Sequence, residues 1–365
     1  VPIERVWLKG FRNLHETVIH FQPNTPLVIY GKNNQGKTNF LEALYWVICG
    51  GSPLTKSIEN CIHFDQNEAV IVADISDQDV THRLSLKLAK PLQKWGFLDQ
   101  QPIRSYRKIQ TQFPVLFLSS DIIYAFRESP QVRRQNLDHF CGLLNSEFTH
   151  ISQKYAKILR QKNRMLKETP SPDMIRFWNS ALVECAHKIV SARKEGLHRI
   201  QAQYRRLTEG TEFHSNLSLI YDQEETSYHA YLSQKFEDNI DKEIQAGVTL
   251  YGPHREDYQV NLDNRSVFEF FSRGINKSTA FLMTLAQMEA VFEMTHQYPI
   301  LLLDDTFSEM DTQIKHHLVE LIEPKCQLLY TTVLDQDQDL FKTSKAMHMK
   351  DGVMQEVSKG AVWTV

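Results

Sequence analysis

Leu27 to Ile48 reads LVIYGKNNQGKTNFLEALYWVI. An apolar run, Leu27 to Tyr30, leads into Gly31-Lys32-Asn33-Asn34-Gln35-Gly36-Lys37-Thr38, which matches the GxxxxGK[ST] phosphate-loop pattern. Phe40, Leu41, Leu44, Tyr45 and Ile48 then recur at helical spacing. Strand, Gly-rich turn and helix are the context that the pattern needs, and they argue against a mere Gly/Asn-rich surface turn. Gly31 and Gly36 permit backbone geometry that a Cβ would obstruct. The loop amides and the helix N-terminus would face phosphate oxygens. Lys37 would bring a mobile charge to the β and γ phosphates, and the Thr38 hydroxyl is placed for Mg2+.

A phosphate loop that hydrolyses nucleotide needs an acid at the end of a buried strand. Ile300-Leu301-Leu302-Leu303-Asp304-Asp305 supplies one. Asp304 is the candidate for Mg2+, and Asp305 for orienting or deprotonating the attacking water. On its own, an aliphatic run ending in two acids is common; paired with Gly31–Thr38 it gains meaning. The separation of 267 positions between Lys37 and Asp304 leaves room for an inserted domain and argues against a compact small-GTPase layout.

The rest of the chain fits this division. Residues 1–30, 69–88 and 102–118 alternate or run apolar as strands do. Residues 131–210 read as helices broken at Thr169–Pro172. Strand character returns from about residue 245, with Gln327–Thr332 another buried strand and Asp351-Gly352 a hairpin turn. The expected fold class is α/β, one head assembled from both chain ends (1–120 and 245–365) around an inserted α-helical domain (121–244). At roughly 150 residues per domain, 365 residues also suggest two domains.

Charge sharpens the division. The whole chain has 41 basic and 44 acidic residues, a net of −3, which excludes a wholly basic nucleic-acid binder. Residues 131–210 carry 15 Lys and Arg against 7 Asp and Glu, a local +8 balanced by −11 elsewhere. A well-solvated helical surface explains that count; so does a surface that meets a phosphate backbone. Arg133, Arg134, Lys154, Lys157, Arg160, Lys162 and Arg164 are the candidates, with Lys157, Arg160 and Arg164 on one helix face. Arg133 and Arg134 have a second reading as salt-bridge partners between lobes. No helix-turn-helix, zinc-finger or RRM pattern occurs, so any DNA contact is expected to ignore sequence.

The five cysteines are widely spaced, with no CxxC, so neither a disulfide scaffold nor structural zinc is expected. No apolar run approaches the roughly 18 residues of a membrane span. No signal-peptide pattern opens the chain, and Val1 suggests numbering from just after the initiator. A cytoplasmic, nucleoid-associated protein is the expectation.

The paired motifs with a long insertion resemble the ABC-type ATPase heads of the SMC and Rad50 class. More closely, the chain resembles the RecF family. The similar segments are Leu8-Lys9-Gly10-Phe11-Arg12-Asn13, Tyr30 to Ala43, Ser119–Asp121, Arg133-Arg134 with Leu137-Asp138, Gly252-Pro253-His254-Arg255-Glu256-Asp257, and Leu301 to Asp311. The resemblance implies a homodimer with ATP and Mg2+ sandwiched between one subunit's phosphate loop and the other's Phe271-Ser272-Arg273-Gly274. Ile275-Asn276 stands where the family usually has Gln. It implies nucleotide contacts for Arg12, Asn13, Gly31, Asn33, Asn34, Gln35, Gly36, Lys37, Thr38, Asn39, Ser272, Gly274, Ser308 and Asp311, the last two in an inter-subunit loop. Gln110, Gln112 and Gln131 compete for a Gln-loop role. Thr331-Thr332 occupies the switch position where related transporters have His, which implies slow, switch-like turnover.

The resemblance further implies an ATP-gated clamp on duplex DNA or a duplex beside a single-stranded gap. Such a clamp acts in recombinational repair and replication restart and helps RecR and RecO load recombinase. Two other readings compete. An SMC-like scaffold with little hydrolysis would need a long heptad arm, which is absent. An ATP-gated nuclease of the OLD type would need a further acidic metal cluster, and no convincing one follows the last strand.

Overall fold

Strands that are apolar on both faces belong inside a sheet covered on both sides. In the computed structural model, which describes residues 2–357 except 56, 78–79, 169, 212, 214–215, 224–226, 309 and 323–324, Leu27–Tyr30 and Ile300–Asp304 are buried at every position. The chain forms two units: Val1–Tyr124 with Ser272–Val365, and Ala125–Phe271.

The first unit opens with β1 (Ile3–Lys9), β2 (Thr17–His20), β3 (Leu27–Tyr30) and α1 (Lys37–Cys49). Then come β4 (Glu68–Asp77), β5 (Val80–Ala89), β6 (Gln93–Leu98), β7 (Gln101–Pro102), α2 (Arg107–Gln112), β8 (Val115–Ser119) and α3 (Ser120–Glu128). The second unit holds α4 (Pro130–Leu144), α5 (Ser146–Glu168), α6 (Pro172–Thr208), β9 (Leu217–Tyr221), α7 (Tyr228–Asp238) and α8 (Ile240–Ala246). It closes with β10 (Tyr258–Leu262), β11 (Arg265–Ser266) and α9 (Val267–Phe270). The chain then returns to the first unit through α10 (Arg273–Thr295), β12 (Ile300–Asp304), α11 (Thr312–Ile322), β13 (Leu328–Thr332), β14 (Lys345–Lys350) and β15 (Val353–Glu356).

Two sheets build the first unit. One has six strands in the order β15-β14-β3-β13-β12-β8. It is parallel from β14 to β8, with only β15 antiparallel at its edge. The other is antiparallel, β2-β1-β4-β5-β6-β7, and alternates buried with exposed residues because one face meets solvent. α1 is apolar on nearly all sides, and its Phe40, Leu41, Leu44, Val47 and Ile48 share one core with Val6, Ile71 and Leu86 of the antiparallel sheet and Ile29, Leu302 and Leu329 of the parallel one. Ile3 exchanges both backbone hydrogen bonds with the Gln327 side chain, at 2.7 and 2.8 Å, which ties the two ends of the chain together.

In the second unit, α5 ends at Glu168 and α6 begins at Pro172, near the expected break, of which Thr169 lies outside the described residues. The placement of residues 245–271 differs from the sequence expectation, which joined them to the head. β10 pairs with β9 from Tyr258↔Tyr221 to Leu262↔Leu217, so this stretch belongs with Ala125–Phe271. The strand character was readable; the strand's partner was not.

Candidate functional site

The phosphate loop connects the C-terminal end of β3 to α1, and its two glycines are held by contact. Gly31 has φ 155°, and a Cβ there would lie 2.3 Å from the Met349 carbonyl oxygen. Gly36 has φ 109°, and a Cβ would lie 2.8 Å from Asn13 Oδ1. Neither gap admits a larger residue. The loop is braced from behind by residues distant in sequence. Asp351 N–H donates to Gln35 Oε1 (2.6 Å), and Gly352 N–H donates to the Gln35 carbonyl (3.0 Å). Asn39 Nδ2 donates to Asn13 Oδ1 at 2.8 Å, and Asn13 Nδ2 reaches the Asn34 carbonyl at 3.4 Å.

Asn33, Asn34, Gln35, Gly36, Lys37, Thr38 and Asn39 line an open cleft of about 630 Å3 together with Ser120, Asp121, Asp304, Asp305 and Val333. Lys37 Nζ donates to the Gly31 carbonyl at 2.6 Å and the Lys32 carbonyl at 2.8 Å. Burial pulls its ammonium below the usual lysine range, opposed by the charges of Asp304 and Asp305. Thr38 Oγ1 donates to Asp304 Oδ2 at 2.8 Å, and the Thr331 hydroxyl donates to Asp304 Oδ1. Burial holds the Asp304 carboxyl above the usual aspartate range, with the two hydroxyls opposing. A Thr hydroxyl and a carboxylate brought together at the mouth of an amide-lined loop are hard oxygen donors of the kind Mg2+ takes. The residues present therefore fit a Mg2+–nucleotide.

Asp305 follows at φ 50°, in the left-handed region. Its N–H donates to the Thr331 carbonyl at 2.9 Å, and its own carbonyl accepts from the hydroxyls of Ser308 (2.9 Å) and Ser120. Burial and the neighbouring Asp304 charge raise its carboxyl above the usual range. The two switch-position threonines separate in role: Thr331 faces Asp304, whereas Thr332 donates to Asp337 Oδ2 at 2.6 Å.

Other expected residues lie elsewhere. The Arg12 guanidinium does not line the cleft; it makes a fork with the Glu42 carboxylate, which is fully buried and also accepts from Ser52 Oγ. Asn13 braces the loop. Ser272 caps α10, accepting from the Ile275 N–H at 3.4 Å, and it is exposed, with Gly274 in the first helical turn. Asp311 is exposed just before α11. Gln110 Nε2 donates to the Cys49 carbonyl and Gln112 Nε2 to Asp77, so both side chains are spent away from the cleft. Ser120 and Asp121 enter the sequence reading only within the Ser119–Asp121 similarity, with no cleft role; the structure places both in the cleft, just after β8, the neighbour of β12.

The basic candidates divide. Arg133 grips the Asp257 carboxylate, with Nη2 at 2.5 Å, and Arg134 Nη1 donates to the Glu256 carbonyl at 3.0 Å. Both belong to the structure of the second unit. Lys162 is a correction: it is fully buried and donates to Glu243 Oε2 at 2.6 Å, over the Phe236 ring at 4.2 Å. It falls on the buried stripe of α5, one turn after Ile158 and one before Leu166. Lys162→Met is expected to lower stability by about 3 kcal/mol, because it strands the Glu243 carboxylate in the core. Urea unfolding measures this, and Lys162→Met with Glu243→Leu should recover most of the loss. A single variant as stable as wild type would contradict the pairing. Lys154, Lys157, Arg160 and Arg164 remain exposed on α5. Of these Arg164 pairs with Glu168 at the surface, while Lys157 and Arg160 make no ion pair among the described residues.

Comparisons with known proteins bear on the family and the fold. Residues 2–356 match the family model of the RecF/RecN/SMC N terminal domain. The chain is 30% identical over 344 residues to the DNA replication and repair protein RecF of Halothermothrix orenii, covering 90% of this chain and 91% of that one. It is 29% identical over 370 residues to that of Ligilactobacillus salivarius, covering 97% of each. Among solved structures, the recombination mediator protein RecF-ATP in the RecFOR pathway superposes with a TM-score of 0.87 at 22% identity, over 98% of this chain and 97% of that one. An Smc head bound to the C-winged helix domain of ScpA gives 0.56 at 16% identity, over 98% of each chain. The expected fold class holds: an α/β P-loop ATPase head built from both chain ends, with a helical insertion.

Proposed function

The chain belongs to the RecF family, and on that premise we propose that it is an ATP-dependent DNA-binding protein of recombinational repair and replication restart. ATP closes a homodimer by bridging the phosphate loop of one chain and the Ser272–Gly274 segment of a second. The closed dimer clamps duplex DNA, including duplex beside a single-stranded gap, and cooperates with RecR and RecO in recombinase loading. Hydrolysis reopens it. Residues 1–120 with the C-terminal segment form the ATPase domain, and the helical insertion contributes the DNA surface through α5.

The observation that carries this reading is the convergence of Lys37, Thr38, Asp304 and Asp305 on one cleft. Lys37 exchanges its two loop carbonyls for phosphate oxygens. Thr38 and Asp304 would hold Mg2+, which would supply positive charge to the phosphate oxygens. Thr331 fixes the Asp304 carboxylate by hydrogen bond. Asp305 orients the attacking water and accepts its proton. A threonine cannot take up that proton as a histidine can, so turnover is slow and the site works as a switch.

The test is binding to gapped and intact duplex without nucleotide, with ADP and with ATP, while cleavage is followed. ATP should tighten binding and leave the DNA uncut. Nucleotide-independent binding would favour a scaffold, and cleavage would favour a nuclease. Reversing Lys157, Arg160 and Arg164 to Glu should weaken binding to any sequence and reduce the salt slope by about two to three. An unchanged slope would move the DNA surface off α5.

A further inference from the structure

The start of α10 carries more than the Ser272–Gly274 segment, in which Ser272 and Arg273 are exposed. Lys277, one turn further along, reaches the loop after β12: its Nζ donates to both the carbonyl and the hydroxyl of Ser308, each at 3.0 Å. Ser308 Oγ in turn donates to the Asp305 carbonyl at 2.9 Å, and Ser120 Oγ donates to the same oxygen. Asp305 itself sits at φ 50°, in the left-handed region, which aspartate enters more readily than most residues and which these main-chain contacts hold in place. One cation therefore supports the turn that aims a carboxylate into the cleft. That cation stands on the helix whose exposed start is assigned to a second chain's nucleotide.

We propose that Lys277 is a positioning residue for hydrolysis: it latches the Asp305–Ser308 turn to α10, so that engagement of Ser272–Gly274 with a partner's ATP sets the same chain's Asp305. The inference rests on the ATP-sandwich reading above. A charge-assisted donor with two acceptors is stronger than a neutral one and has direction. Movement of the helix start then passes to Ser308, and from Ser308 to the Asp305 carbonyl, through contacts 3 Å long. Lys277 does not touch the nucleotide; its effect falls on the rate of hydrolysis and on the communication between the two sites of the dimer.

The experiment compares full-length wild type, Lys277→Met and Lys277→Arg. Three readouts are taken: amide hydrogen exchange over residues 305–308 without nucleotide, affinity for a fluorescent ATP, and phosphate release against ATP concentration. Lys277→Met should speed exchange in the turn by roughly tenfold and lower kcat by a similar factor, leaving KM and ATP affinity within about twofold. Its Hill coefficient should fall toward one. Lys277→Arg, which donates to both acceptors, should restore kcat to within about threefold of wild type. Unchanged exchange in Lys277→Met would overturn the latch, and so would a parallel loss of ATP affinity and kcat with no rescue by Arg. If wild type itself neither dimerises with ATP nor releases phosphate, the sandwich reading fails. The exchange measurement still decides whether Lys277 holds the turn.

Discussion

Lys37→Ala is expected to cut ATP affinity by at least about a hundredfold and to abolish ATP-dependent dimerisation. Two separate losses combine. The variant removes the only ammonium among the cleft-lining residues, which would otherwise meet the charge of two phosphates. It also leaves the Gly31 and Lys32 carbonyls without the donor that both now share. The fold should survive, because Lys37 stands at the first position of α1, whose core is formed by Phe40, Leu41, Leu44, Val47 and Ile48. Thermal unfolding without nucleotide should therefore change by only a few degrees, whereas ATP should no longer raise the midpoint. Sedimentation velocity with and without ATP measures the assembly. A variant that still dimerises when ATP is added would remove the phosphate loop from the dimer interface and end the sandwich model.

The part of the molecule that this variant probes was legible from a short stretch of sequence. Strand, glycine turn and amphipathic helix are local patterns, and local patterns survive folding. Asp304 and Asp305 were legible for the same reason, as a buried strand ending in acids. What the sequence concealed is pairing across distance. The loop's braces come from Asn13, Asp351 and Gly352, which no spacing rule connects to Gln35 or Asn39. The +8 helical window read correctly as a count and poorly as a surface. A count weighs Lys157 and Lys162 alike, yet one is exposed and the other fully buried against Glu243. The signal that separates them was present in the helical period, since Lys162 follows Tyr155 and Ile158 along the buried stripe. Arg12 shows a different limit. The resemblance implied a phosphate contact, but a buried carboxylate needs a cation more than the cleft does, and Glu42 takes the guanidinium. Residues 245–271 were assigned to the wrong unit because a strand's identity is local and its partner is not.

Asp305→Asn should slow phosphate release by about a hundredfold or more while ATP binding persists. The substitution is unusually clean at this position. Asp305 holds φ 50°, and asparagine tolerates the left-handed region better than most residues, so the backbone need not move. The main-chain contacts to Thr331, Ser308 and Ser120 should remain, and the remaining amide oxygen can keep the carboxyl's own contact with Ser308. What changes is one atom: a carboxylate oxygen that can accept a proton becomes an amide nitrogen that cannot. Burial and the adjacent Asp304 raise the Asp305 carboxyl above its ordinary range, which makes it a stronger base once ionised. Removing one of two neighbouring negative charges should also ease ATP binding rather than hinder it. The ATP-bound dimer should consequently live longer and hold DNA longer than the wild-type dimer does. Asp305→Ala is a poorer probe, because alanine at this φ adds strain of about 1 kcal/mol to the chemical loss. Stopped-flow phosphate release and dimer lifetime after dilution separate the two effects. Wild-type phosphate release from Asp305→Asn would show that another group takes the proton, and Asp121, which also lines the cleft, would be the next to vary.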